Sequence, residues 1–186
     1  ECLNMIQESL PHLGLSNILI ELGSAAFFNR LCALVGDNAN ELKEILKYRD
    51  ISKMKEFVAK NNFDSKLNSL LLTLPTAFGS LESLESIIAN IDDEILQEAM
   101  KHLKELYNSL DNQQSIIFDL GMVPTMKYYT GLMIKGYSDK CAQPIISGGR
   151  YDDLLPRFNK NVGAIGFCYH MNHILKALDK EGDNHD

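Results

Sequence analysis

A change of hydrophobic period most constrains what this chain can fold into. Residues 38–110 repeat their apolar side chains at helical spacing, whereas 116–120, 129–137, 143–147 and 162–169 are short runs rich in β-branched and aromatic residues. Ahead of the helical stretch, residues 2–13 read as a helix stopped by Gly14 and residues 18–22 as a short strand. Ser24 has the chemistry of an N-cap for a helix reaching Val35. The five residues 138–142 between the second and third late strands suit a hairpin, so antiparallel pairing is expected. Strands early and late with helices clustered between them predict an α+β fold.

Inside the helical stretch, Asn38 with Glu41 has capping-box spacing, Asp50 and Asp64 are candidate caps, and Pro75 and Gly79 are breaks. Asp92 is expected to open a long helix with Ile95, Ala99, Leu103, Leu106 and Leu110 on one face. Short helices over 151–158 and 171–178 are expected late in the chain, followed by a polar tail, 179–186. The division that follows is a core of residues 1–37 and 111–178 interrupted by a helical insertion, 38–110, in which no repeat is visible.

Composition narrows the function. With 45% apolar and 23% charged residues, the 186-residue chain has material for one ordinary core. Its 18 basic and 25 acidic residues leave a net charge of −7, with no basic stripe, so nucleic acid is not an expected partner. No apolar run reaches the roughly 18–20 residues of a membrane helix, so no membrane association is expected. Four widely spaced cysteines in a domain of this size read as free thiols in a reducing cytoplasm. Glu1 opens directly into an amphipathic pattern without an initiator Met, and we expect a piece of a longer protein.

The chemistry concentrates between Asp119 and Leu175. Tyr128 and Tyr129 precede Thr130-Gly131 at an expected strand start, where alternation would send the two rings to opposite faces. Gly148 and Gly149 follow an expected strand, and the missing Cβ atoms let a ligand approach the main chain or let the chain turn. Arg150 and Asp152, close behind, have the charges to pair with each other. Cys168, His170 and His173 are zinc-type ligands, but a fourth ligand is not evident and no metal is expected.

Three blocks carry a resemblance: residues 119–131 with Tyr128-Tyr129-Thr130-Gly131, then Ser147-Gly148-Gly149-Arg150-Tyr151-Asp152, then Gly163-Ala164-Ile165-Gly166-Phe167. In order and spacing they resemble the histidine-binding half of histidyl-tRNA synthetase and its non-catalytic relative, the regulatory subunit of ATP phosphoribosyltransferase. The resemblance implies the antiparallel sheet of class II synthetases, without the N-terminal part of that domain. It implies histidine binding by Tyr129, Gly148, Gly149 and, more peripherally, Tyr128, with Arg150 and Asp152 bracing the loop.

Catalysis is where the chain departs. Adenylate formation needs fixed cations around the α-phosphate. Where the synthetase pattern has one arginine this chain has Pro124, and where it has another this chain has His173, which does not carry the permanent charge of a guanidinium. Lys127 replaces an acidic residue of the pattern. No catalytic residue and no cofactor are therefore expected. The resemblance implies a cytoplasmic regulator that partners the short catalytic subunit of ATP phosphoribosyltransferase, takes L-histidine as effector and self-associates at full length. The alternatives are a divergent histidyl-tRNA synthetase drawing its cations from elsewhere, and an orphan interaction domain.

Overall fold

The computed structural model describes residues 1–15 and 17–182. Helix α1 (Cys2–Ser9) runs through a 3-10 turn (Leu10–Leu13) into Gly14, whose φ of 69° takes up the left-handed stop expected there. Strand β1 (Ile18–Ser24) follows, and Ser24 accepts a hydrogen bond from the Phe27 amide to start α2 (Ala25–Val35). Then come α3 (Ala39–Lys47), α4 (Ile51–Lys60), α5 (Ser65–Thr73), a two-residue strand β2 (Phe78–Gly79), α6 (Leu81–Ala89) and α7 (Glu94–Asn108). The chain closes with β3 (Ile116–Asp119), β4 (Leu132–Ser138), β5 (Cys141–Arg150), β6 (Ile165–Tyr169) and α8 (Met171–Gly182).

The strands form one sheet in the order β2-β3-β1-β4-β5-β6, with helices segregated to the connections, an α+β fold. Every neighbouring pair is antiparallel except β1 and β3, which run parallel with Ile20 opposite Ile116. A parallel pair needs a long crossover, and the helical stretch between β1 and β3 supplies it. One sheet face carries Ile20, Leu22, Phe118, Ile134 and Ile146, all at 1% exposure or less, packed with Leu3 and Ile6 of α1, Phe27 and Leu31 of α2, and Ile174 and Ala177 of α8. The opposite face presents Glu21, Gly23, Asp119, Met133, Lys135, Ser147 and Gly149 by alternation and register.

Local expectations meet mixed outcomes. Asp50 and Asp64 cap α4 and α5 through the amides of Lys53, Lys66 and Leu67. Asn38 forms no capping box: its amide donates to the Val35 carbonyl, and Glu41 pairs with Lys60 instead. The cap of α7 is Asp93, one residue beyond Asp92; Ala99 and Leu103 are buried as expected, but the face differs at its start. Leu96 and Met100 are buried while Ile95 is 52% exposed. Residues 151–158 hold a turn and a single 3-10 segment (Leu155–Phe158) rather than a helix, Pro156 having no N–H to continue one. Residues 179–182 extend α8 instead of opening the polar tail; 183–186 lie outside the described residues. Among the described residues, no helix is long and apolar enough to cross a membrane.

Candidate functional site

The turn before β4 places the two tyrosines. The Tyr129 amide donates to the Met126 carbonyl at 3.3 Å, and the Thr130 amide reaches the Arg150 carbonyl at 2.8 Å, so the chain is still turning at Tyr129 and β4 begins only at Leu132. Strand alternation therefore does not apply to Tyr128 and Tyr129. Their rings stay together, centroids 5.4 Å apart and nearly perpendicular, and Tyr128 continues the same edge-to-face arrangement onto Tyr151 at 5.6 Å.

Tyr129 lies on the sheet face opposite the main core, packed with Ala25, Met122 and Met133. Beneath it is Gly149, which with Gly148 sits inside β5 rather than after it. A Cβ on Gly149 would stand 2.9 Å from Tyr129 Cε1 and 2.9 Å from the Leu132 carbonyl, so only glycine lets the ring rest on the strand. Gly148 points the other way, where a Cβ would stand 2.8 Å from Phe167 Cβ. Tyr128, Tyr129 and Gly149 thus come together, and Gly148 lies behind them. Burial raises the pKa of the Tyr129 phenol, with Tyr128, Cys168 and Tyr151 adding to the rise and a hydrogen bond with Thr125 opposing it. The hydroxyl keeps its proton and can donate.

Arg150 and Asp152 form a pair, Nε donating to Oδ2 at 2.7 Å. The other Asp152 oxygen accepts from the Ala164 amide at 3.0 Å, and the Asp152 amide donates to Thr130 Oγ1 at 3.0 Å. These bonds tie the segment before β4, the end of β5 and the approach to β6 into one junction beside the tyrosines.

The two histidines are engaged locally. His170 Nε2 is 2.6 Å from Ser147 Oγ, and His173 Nδ1 donates to the Pro144 carbonyl at 2.7 Å, since a carbonyl can only accept. No group of three metal-ligating side chains occurs among the described residues. Pro124 lies beside Thr125 in the loop leading to the tyrosines.

A second feature on the same sheet face has no sequence motif. Asp119, 2% exposed, accepts from Arg49 at 2.7 Å and from the Gly121 amide at 2.9 Å, and Glu21, 7% exposed, stands 3.4 Å from the same guanidinium. Burial raises the pKa of both carboxyls; Asp119 raises that of Glu21 further, while Arg49 and Lys135 oppose the rise at both and the Gly121 amide opposes it at Asp119. Arg49 adopts a φ of 50° between α3 and α4, unusual for a residue with a side chain, and packs its guanidinium over Phe78 at 4.7 Å. These groups line a cleft of about 410 Å³. Its only sequence signal is a charged residue in three otherwise apolar strand runs: Glu21, Asp119 and Lys135.

Comparison with known proteins places this geometry. The sequence profile of the family described as histidyl-tRNA synthetase matches residues 1–174. The chain is 44% identical, over 97% of its length and 55% of the relative's, to the ATP phosphoribosyltransferase regulatory subunit of Lactococcus lactis subsp. lactis. A crystal structure described as an ATP phosphoribosyltransferase regulatory subunit/histidyl-tRNA synthetase, from Bacillus halodurans, superposes with a TM-score of 0.84 at 28% identity, covering 95% of this chain and 48% of that one. The histidyl-tRNA synthetase of Nostoc sp. PCC 7120 shares the fold, with a TM-score of 0.77 at 15% identity over 96% of this chain and 46% of that one. The chain spans about half the length of the relatives it matches. With nearly its whole length matched and the tyrosine, glycine and Arg-Tyr-Asp segments meeting at one junction of a synthetase-type sheet, the chain belongs to the histidyl-tRNA synthetase family.

Proposed function

We propose that the intact protein is the non-catalytic regulatory subunit of ATP phosphoribosyltransferase, required by the short catalytic subunit and mediating histidine feedback on the first step of histidine biosynthesis. The observation that carries this reading is the 44% identity across 97% of the chain to a protein of that name. The substitutions agree with it. Pro124 supplies no charge where adenylation calls for one, and His173 commits Nδ1 to the Pro144 carbonyl. Histidine is the effector, held against Tyr129 and Gly149, with Tyr128 beside them, Gly148 behind, and Arg150 and Asp152 bracing the junction. Histidine favours one conformation of the complex and shifts its population toward it. The protein works in the cytoplasm, self-associates, and uses residues 1–37 and 111–178 as its core, with 38–110 as a helical insertion.

The test mixes the intact protein with the short catalytic subunit and follows phosphoribosyl-ATP formation. Activation that histidine suppresses is the expected result, with Tyr129→Ala losing the suppression alone. No activation, together with histidine-dependent pyrophosphate exchange by the protein itself, would replace the regulator with a divergent synthetase.

A further inference from the structure

The cleft over β1, β3 and β4 brings two opposite charges, Glu21 and Lys135, side by side without an ion pair between them. Glu21 has a side chain only 9% exposed; its Oε1 makes one long contact with Arg49, and no hydrogen bond reaches Oε2 among the described residues. Lys135 is its direct cross-strand neighbour, yet the Lys135 ammonium forms no ion pair or hydrogen bond among the described residues. Opposite charges on paired strand positions ordinarily close on each other. Here both are left facing a cleft of about 410 Å³, within the range of about 300–1,000 Å³ typical of small-molecule sites. Asp119 feels the Lys135 charge but forms no ion pair with it, its oxygens accepting from Arg49 and the Gly121 amide.

Glu21 lines the cleft with one carboxylate oxygen that accepts no hydrogen bond from the described residues, and a ligand cation would supply the donor. A free ammonium beside it calls for an anion. Leu46, Met122, Val123 and Pro124 form the apolar wall of the same cleft. We propose that this cleft binds a free α-amino acid with an apolar side chain. Glu21 accepts from its ammonium, Lys135 holds its carboxylate, and the wall takes its side chain. The site is separate from the Tyr129–Gly149 platform and does not depend on histidine binding there. It does adjoin that platform: Thr125 lines the cleft and hydrogen-bonds with Tyr129, and Met122 lines the cleft and packs with Tyr129.

The test is calorimetric titration of the intact protein with L-leucine, and with two analogues that each lack one charge, 4-methylpentanoate and isopentylamine. L-Leucine should bind, and each analogue at least tenfold more weakly. Glu21→Gln and Lys135→Met should each weaken L-leucine at least tenfold, with unfolding midpoints checked so that loss of fold is not read as loss of binding. Tyr129→Ala should leave L-leucine affinity within about twofold. Absence of L-leucine binding up to 10 mM overturns the proposal. So does equal binding of 4-methylpentanoate, which would make the cleft a plain anion site, and so does undiminished L-leucine affinity in folded Glu21→Gln.

Discussion

Gly149 and Tyr129 are matched surfaces: the ring's Cε1 lies 2.9 Å from the point a Gly149 Cβ would occupy. Gly149→Ala should push the ring off the strand and reduce histidine suppression of the reconstituted enzyme. Gly148→Ala meets Phe167 and the Gly166 carbonyl on the other face, so it should lower stability, by about 1–3 kcal/mol as overpacking does, with less effect on Tyr129. Urea unfolding and histidine titration of the two variants separate these effects.

Arg49 is the cation that Asp119 and Glu21 share. Removing one partner of a fully buried pair costs about 3–5 kcal/mol, and with the Arg49 side chain 37% exposed we expect about 2 kcal/mol for Arg49→Met. Both carboxyls have raised pKa values, so the native state favours their protonated forms, and the stability this brings is lost as pH rises through those values. The Arg49→Met deficit should therefore be greatest at neutral pH and shrink on acidification, as read by unfolding midpoints at pH 7 and pH 5.

Asp93 does two jobs, capping α7 through the amides of Ile95 and Leu96 and pairing with Arg30 at 2.6 Å. Asp93→Ala should cost about 1–2 kcal/mol, and Asp93→Ser should recover the capping share. Arg30 holds the Asp93 carboxyl below its ordinary value, so this stability is present above that value and lost as pH falls through the lowered one. Wild type and Asp93→Ala should converge in acid, measured by the same denaturation series.

Burial, with Glu21 and Asp119 nearby, pushes the Tyr137 hydroxyl up to about 12. The native state favours the protonated phenol, so its contribution to stability holds below the ordinary tyrosine value near 10 and is lost as pH rises toward about 12. Spectrophotometric titration should show one late phenolate that is absent from Tyr137→Phe. That variant should also lose less stability between pH 10 and pH 12.

Much of this was legible in the chain because it is local chemistry. Ser24, Asp50 and Asp64 announce their helices by an oxygen placed before the first free amides, and Gly14 announces a stop by tolerating positive φ. The family resemblance likewise rests on contiguous residues, among them Tyr129 and Gly149, whose contact joins two separate blocks. Periodicity failed where a turn replaced it, at Met126–Tyr129, and where one residue of phase decided a face, at Ile95 and Leu96.

The sequence by itself determined the α+β class, the helix starts at Ser24, Asp50 and Asp64, and the family, because period, capping and contiguous motifs are properties of neighbours along the chain. Only the tertiary structure decided that β1 and β3 run parallel, that Gly148 and Gly149 serve opposite faces, and that Glu21, Arg49, Asp119 and Lys135 share one cleft. Strand pairing and shared burial join residues far apart in sequence, and no local propensity encodes which distant charge a buried carboxylate will meet.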